Sequence, residues 1–128
     1  MIRICSLLLV LVALLPDLAT AAQADLAAAP KLGRYNIRSY GASNRPPLFL
    51  GHFILEDGGK YKVFLPGGRE VGGGTYEFDA SKMEVVWLTG KYKEEGWGGA
   101  VQLASDEKTT VIVMKSTTRA THVPDDAQ

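Results

Sequence analysis

Cysteine is nearly absent from this 128-residue chain, which holds one, Cys5. Cys5 lies in an apolar N-terminal stretch, so everything after it is free of thiols. That excludes an internal disulfide framework and a thiolate metal site in the body of the chain. It also excludes a lipid-anchored cysteine, which would follow an apolar export stretch rather than stand near its start. Net charge is absent as well: 14 Lys and Arg face 14 Asp and Glu. Arg3 and Asp17 fall together in the N-terminal stretch, so its removal would leave the balance intact. A neutral chain lacks the electrostatic drive for nonspecific nucleic-acid binding. A short basic cluster, Lys31, Arg34, Arg38 and Arg45, reads as a solvated strand face. Histidine is scarce, with only His52 and His122. Two histidines so far apart, without cysteine, give no transition-metal ligand pattern. No cofactor motif is present, and no metal site is expected.

A second long apolar run is also missing. The one that exists, Ile4 to Leu15, follows Arg3 and is stopped by Pro16-Asp17. Small residues come next. Ala19-Thr20-Ala21 and Ala22-Gln23-Ala24 both satisfy a signal-peptidase pattern, with cleavage after Ala21, Ala22 or Ala24. The run is shorter than the roughly 20 residues of a spanning helix. Residues 1–24 therefore read as a signal peptide, and the protein as exported, to the periplasm or beyond. No transmembrane span is expected after the leader is removed. Residues 25–31, Ala-rich and holding Pro30, read as a short linker. About 100 residues remain, enough for one modest core.

Those residues show no sustained helical period. Short β-branched and aromatic runs alternate with Gly, Pro, Asn and Asp punctuation. Tyr35, Ile37 and Ser39 alternate with Arg34, Asn36, Arg38 and Tyr40; Tyr61, Val63 and Leu65 alternate with Lys60 and Lys62. Leu48 to Glu56 is apolar on both faces. Asp57-Gly58-Gly59 is a hairpin turn. Arg69 to Val71 reads as a brief strand interrupted by Gly72-Gly73-Gly74, with Thr75 to Phe78 resuming it. Met83, Val85 and Trp87 alternate along the next run, and Ala100 to Ala104 and Thr109 to Lys115 complete the set. Gly90 to Gly99 reads as a loop, and residues 117–128 as a fraying polar tail. Seven or eight strands with short links can pair only with antiparallel neighbours. The expected fold is an all-β, up-and-down antiparallel meander over residues 32–116. A small closed or nearly closed barrel hides its edges, and a two-sheet sandwich is the alternative.

Gly-x-Tyr recurs at Gly33-Arg34-Tyr35, Gly59-Lys60-Tyr61, Gly74-Thr75-Tyr76 and Gly90-Lys91-Tyr92. Glycine serves the turn exit, and tyrosine two residues on begins a core layer with its hydroxyl near a polar rim. The first copy resembles the Gly-x-Trp that opens lipocalin-like (calycin-like) barrels, with Tyr in place of Trp. Gly72-Gly73-Gly74-Thr75-Tyr76-Glu77-Phe78 and Val85-Val86-Trp87-Leu88-Thr89-Gly90 are similar to segments of small exported bacterial proteins. The resemblance spans Gly33 to Ser116 and implies a barrel. The body is shorter than a lipocalin, which implies an interior filled by its own side chains.

Catalytic patterns are lacking. Ser39, His52 and Asp57 have the residue types of a triad, but no nucleophile elbow or oxyanion loop accompanies them. Glu56-Asp57 and Glu94-Glu95 are adjacent pairs, which on a strand point to opposite faces and cannot flank a glycosidic bond. The glycine runs lack the Gly-Lys-Ser/Thr ending of a phosphate loop. The informative stretch is Trp87 to Gly99, which gathers both tryptophans and Tyr92 among glycines. A non-enzymatic binding module is expected, with Trp97, Tyr92, Trp87, Arg38 and His52 lining a barrel mouth for a small ligand or a protein partner. The alternatives are a structural or oligomeric cell-envelope domain and, further off, a small hydrolase.

Overall fold

The computed structural model describes residues 30–41 and 44–125. The expected signal peptide and its cleavage site, most of the expected linker and residues 126–128 lie outside the described residues. In chain order the elements are β1 (Gly33–Ser39), β2 (Leu48–Glu56), β3 (Lys60–Phe64), β4 (Glu70–Asp79), β5 (Glu84–Trp87), α1 (Lys91–Glu94), β6 (Ala100–Leu103), β7 (Thr110–Lys115) and β8 (Thr118–His122). Each strand pairs antiparallel with the next, and β8 returns to β1, closing an eight-stranded up-and-down barrel. Closure sets Ile37 opposite Ala120 and Arg38 opposite Arg119.

Alternation decides which side chains enter the barrel. Tyr35 and Ile37 from β1, Phe53 and Leu55 from β2, Tyr61 and Val63 from β3, and Val85 and Trp87 from β5 are all buried. Ile112 and Met114 from β7 and Ala120 from β8 fill the far wall. The rings interlock. Tyr35 stacks on Phe53 with centroids 5.2 Å apart, and Trp87 meets Phe53 edge-on at 5.5 Å. Such pairs add about 0.5–1.5 kcal/mol each beyond the area they bury. Eight strands enclose a bore that side chains can just fill, and here aromatic rings fill it.

Three segments differ from the sequence expectation. Gly72-Gly73-Gly74 does not interrupt a strand: β4 runs through it, with Gly72, Gly73 and Gly74 paired to Val63, Lys62 and Tyr61. Thr118–His122, expected within a fraying tail, is the strand that closes the barrel. Its inward positions are Thr118 and Ala120, too small and polar to signal a core strand. The expected Gly90–Gly99 loop contains α1.

The β4 glycines and α1 explain each other. A β-carbon on Gly74 would lie 2.2 Å from the Thr89 carbonyl oxygen, and one on Gly90 would lie 1.9 Å from that of Gly73. Bare backbone on β4 thus lets the chain after β5 press against the barrel wall and turn α1 into the mouth. The end bearing α1 also carries the β1–β2, β3–β4 and β7–β8 connections. The opposite end carries the hairpin turns at Asp57, Ala80 and Ser105.

Candidate functional site

The site grows from the Gly90–Gly99 segment. α1 ends on Gly96, whose φ of 70° suits glycine. Gly96 N–H donates to the Lys93 carbonyl at 3.2 Å, and Trp97 N–H donates to that of Tyr92 at 3.1 Å. This is the paired 5→2 and 6→1 bonding of a glycine-terminated helix, which brings the residue after the glycine onto the third residue from the helix end. Trp97 and Tyr92 accordingly meet, with ring centroids 6.1 Å apart. Four helical residues cannot hold a helix alone. Tyr61 anchors this one: its hydroxyl donates to the Thr89 carbonyl at 2.7 Å and accepts from Tyr92 N–H at 3.0 Å.

Tyr92 drops into the barrel and is 3% exposed. Its ring stacks on Tyr61 at 5.3 Å and meets Trp87 edge-on at 4.9 Å. Its hydroxyl is buried without a hydrogen-bond partner, the one such side-chain atom among the described residues. Burial first, then the neighbouring Tyr61 and Glu95, pushes that hydroxyl far above the usual phenol range, so it stays protonated.

Trp97 covers Tyr92 at the rim. Its indole N–H donates to Glu95 Oε1 at 2.8 Å, and Lys91 Nζ donates to Glu95 Oε2 at 3.0 Å. Those two bonds, the indole's first, hold the Glu95 carboxyl below the usual carboxylate range. Lys115 Nζ sits 4.3 Å from the Trp97 ring centroid. Trp97 borders a recess on each side. One, of about 220 Å³, lies where β5 and β6 part, with Trp87, Tyr92 and Lys93 on its walls. β5 and β6 share the single pair Glu84–Ala100. Past it, the bond from Trp87 Nε1 to the Gly98 carbonyl at 2.9 Å spans the gap. The other recess, of about 100 Å³, is walled by Ile37, Leu50, Val63 and Met114 and roofed by Trp97.

The five residues expected at one mouth separate into two groups. Trp87, Tyr92 and Trp97 come together, with Trp87 and Tyr92 in the core and Trp97 at the rim. Arg38 and His52 lie on the outer wall, because Ile37 and Phe53 take the inward positions. Arg38 rests over Phe49, 5.6 Å from its centroid. His52 stacks on Phe64 at 4.6 Å. Burial, with the Arg34 charge second, lowers its pKa. Ser39 and His52 face opposite sides of the sheet, so the triad residue types do not converge. Among the described residues no three of His, Cys, Asp and Glu gather as a metal site. A shallow groove of about 580 Å³ crosses the outer wall, floored by Val111 and edged by Tyr40, Gln102 and Arg119, away from both tryptophans.

The sequence reading missed Tyr61, Glu95 and Lys115 as parts of the site. Glu95 had a local signal, since Lys91 stands four residues before it on one helix face. Tyr61 and Lys115 reach the site only through barrel closure. No family model, curated protein or solved structure matches the chain.

Proposed function

We propose that the protein is an exported, non-enzymatic, lipocalin-like binding module that takes a small, mostly apolar ligand, or an apolar side chain of a partner, at the Trp97 rim. Trp97 carries the reading: a half-buried indole, tethered through one carboxylate, with a recess on either side. The unpartnered Tyr92 hydroxyl beneath it supports the reading, because an unsatisfied buried hydroxyl costs stability that binding can offset. The 100 Å³ recess admits only a few heavy atoms, fewer than the roughly 150 Å³ apolar cavity that holds benzene. A larger ligand would enter by displacing the indole.

The test is a titration with small aromatic and aliphatic alcohols, followed by two-dimensional NMR. Saturable shifts are expected at the Trp97 indole, Gly96 and Gly98, and they should vanish in Trp97→Ala while the remaining barrel resonances stay in place. Shifts confined to other surfaces, or unchanged by Trp97→Ala, would refute the reading.

A further inference from the structure

We infer that copies of this chain associate head to tail, seating a pair of arginines on one side of the barrel against a pair of carboxylates on the far side of the next copy. The inference is independent of the Trp97 reading. Charge is sorted around the barrel wall. β6, β7, β8 and β1, consecutive in the closed ring, hold no Asp or Glu. β4 and β5 hold no Lys or Arg. β2 and β3, between them, carry both signs, and Lys62 pairs with Glu56 there at 3.6 Å. The links are mixed as well: Lys82 follows β4, α1 holds Lys93 and Glu94, and Asp106, Glu107 and Lys108 follow β6. The sorting therefore belongs to the walls and not to the ends. In a ring of eight strands, β8 and β1 stand across from β4 and β5.

Each wall holds one cross-strand pair of like charge. Arg38 on β1 stands directly opposite Arg119 on β8. Asp79 on β4 stands directly opposite Glu84 on β5. Both pairs face outward, because Ile37, Ala120 and Val85 take the adjacent inward positions. Residues so paired have β-carbons about 4.5–5.5 Å apart, and like charges at that spacing repel. Neither arginine has a carboxylate partner among the described residues: Arg38 lies over Phe49, and Arg119 edges the groove floored by Val111. Glu84 forms no ion pair among them either. Asp79 accepts from Ser81 Oγ at 2.6 Å, which keeps it ionised, with Lys82 beside it. Two guanidiniums side by side thus match two carboxylates at the same strand spacing, and charge-assisted bonds of that kind are the strong ones. Charge complementarity selects a second copy of this chain, because the wall that relieves the arginine repulsion is the chain's own opposite wall. Apolar surface accompanies it: Val86 and Leu88 continue the acidic wall from Glu84, with Leu88 exposed. One partner cannot cover both walls, so the contact is heterologous and every added copy leaves a free wall of each sign. The chain has no net charge, so growth accumulates none.

The experiment is sedimentation equilibrium on the chain spanning residues 25–128. Every described strand and core residue lies within that span, so the whole barrel is kept. At low ionic strength the average mass is expected to climb with concentration past that of two barrels. Salt at about 1 M, which screens charge beyond about 3 Å, should return it to that of one. Arg38→Gln with Arg119→Gln, and Asp79→Asn with Glu84→Gln, should each lower the association constant by roughly tenfold or more. The first variant keeps the acidic wall and the second keeps the arginines. Mixed, they should form one-to-one pairs that grow no further, at a concentration where neither associates alone. Arg69→Gln with Glu94→Gln, outside both pairs, should leave association unchanged. Circular dichroism identical to the parent confirms that each variant is folded. A parent that stays single at low ionic strength, association indifferent to both paired substitutions, or variants that do not combine on mixing would each overturn the inference. A single-barrel parent that binds heparin through Arg38 and Arg119 would overturn it too, assigning the arginines to an external polyanion.

Discussion

Replacing Tyr92 by Phe should make the protein more stable. Tyr92 is 3% exposed and its hydroxyl has no partner. Burying an unpaired hydroxyl costs about 1–3 kcal/mol by protein mutational data. Phe keeps the ring that touches Phe53, Tyr61, Trp87 and Trp97. The expected gain is about 1–2 kcal/mol, and each kcal/mol raises Tm by roughly 4–8 °C for a domain of this size. Tyr61→Phe makes the contrast. It removes the donor to the Thr89 carbonyl and the acceptor for Tyr92 N–H, so its expected cost is about 1–3 kcal/mol. Urea unfolding followed by tryptophan fluorescence measures both, with an unchanged m-value showing that only stability moved. The two residues touch, so the double variant should not be the sum of the singles. A Tyr92→Phe midpoint lower than the parent would refute the reasoning, because it would mean that the hydroxyl makes a favourable bond. The same variant should bind ligand more weakly if the hydroxyl serves binding, a trade between stability and function.

Gly74→Ala should dislodge α1, because its β-carbon would fall 2.2 Å from the Thr89 carbonyl oxygen; greater exposure of Trp97, read as a red shift in emission, is the expected signature. Phe53, fully buried against Tyr35 and Trp87, should cost about 3–5 kcal/mol on substitution by Ala, measured by the same urea titration. The folded-state pKa of His52 lies below its ordinary 6.5 because of burial and Arg34, so the unfolded chain binds the extra proton. Its contribution to stability is therefore lost as pH falls through 6.5 towards the folded value, and His52→Phe should flatten that part of the curve. Asp106 accepts from Thr109 Oγ1 and from the backbone N–H groups of Thr109 and Lys108, which holds its carboxyl at about 2. The stabilisation is present above its ordinary 3.8 and is lost as pH falls towards 2, and Thr109→Val should raise the carboxyl pKa seen by NMR titration.

Much of the barrel was legible because its strands carry period-two apolar residues. Tyr35 and Ile37, Tyr61 and Val63, and Val85 and Trp87 all point inward as their spacing predicts. β8 was not legible. Its inward Thr118 and Ala120 serve the narrow seam against β1 and need no bulk. Gly72-Gly73-Gly74 looked like a break because glycine disfavours strands in isolation. The strand survives there because the approach of Thr89 and Gly90 demands bare backbone. The site was half legible. The aromatic, Gly-rich stretch pointed to Tyr92 and Trp97, and their contact follows from the Gly96 helix end. Arg38 alternates with the inward Tyr35 and Ile37 on β1, so its outward position was legible. His52 was hard to place, because the apolar run of β2 hides which of its faces turns inward. Phe53 and Leu55 settle that face once the barrel closes.

α1 sits at the mouth of a closed eight-stranded barrel and inserts Tyr92 as its plug. Nuclear Overhauser spectroscopy on the protein in solution tests this placement most directly. Cross-peaks from the Tyr92 ring to the rings of Phe53 and Tyr61, together with contacts between Ile37 and Ala120 across the closing seam, are the expected result. A Tyr92 ring that shows no contact with Phe53 or Tyr61, or a β1–β8 seam without cross-peaks, would contradict it.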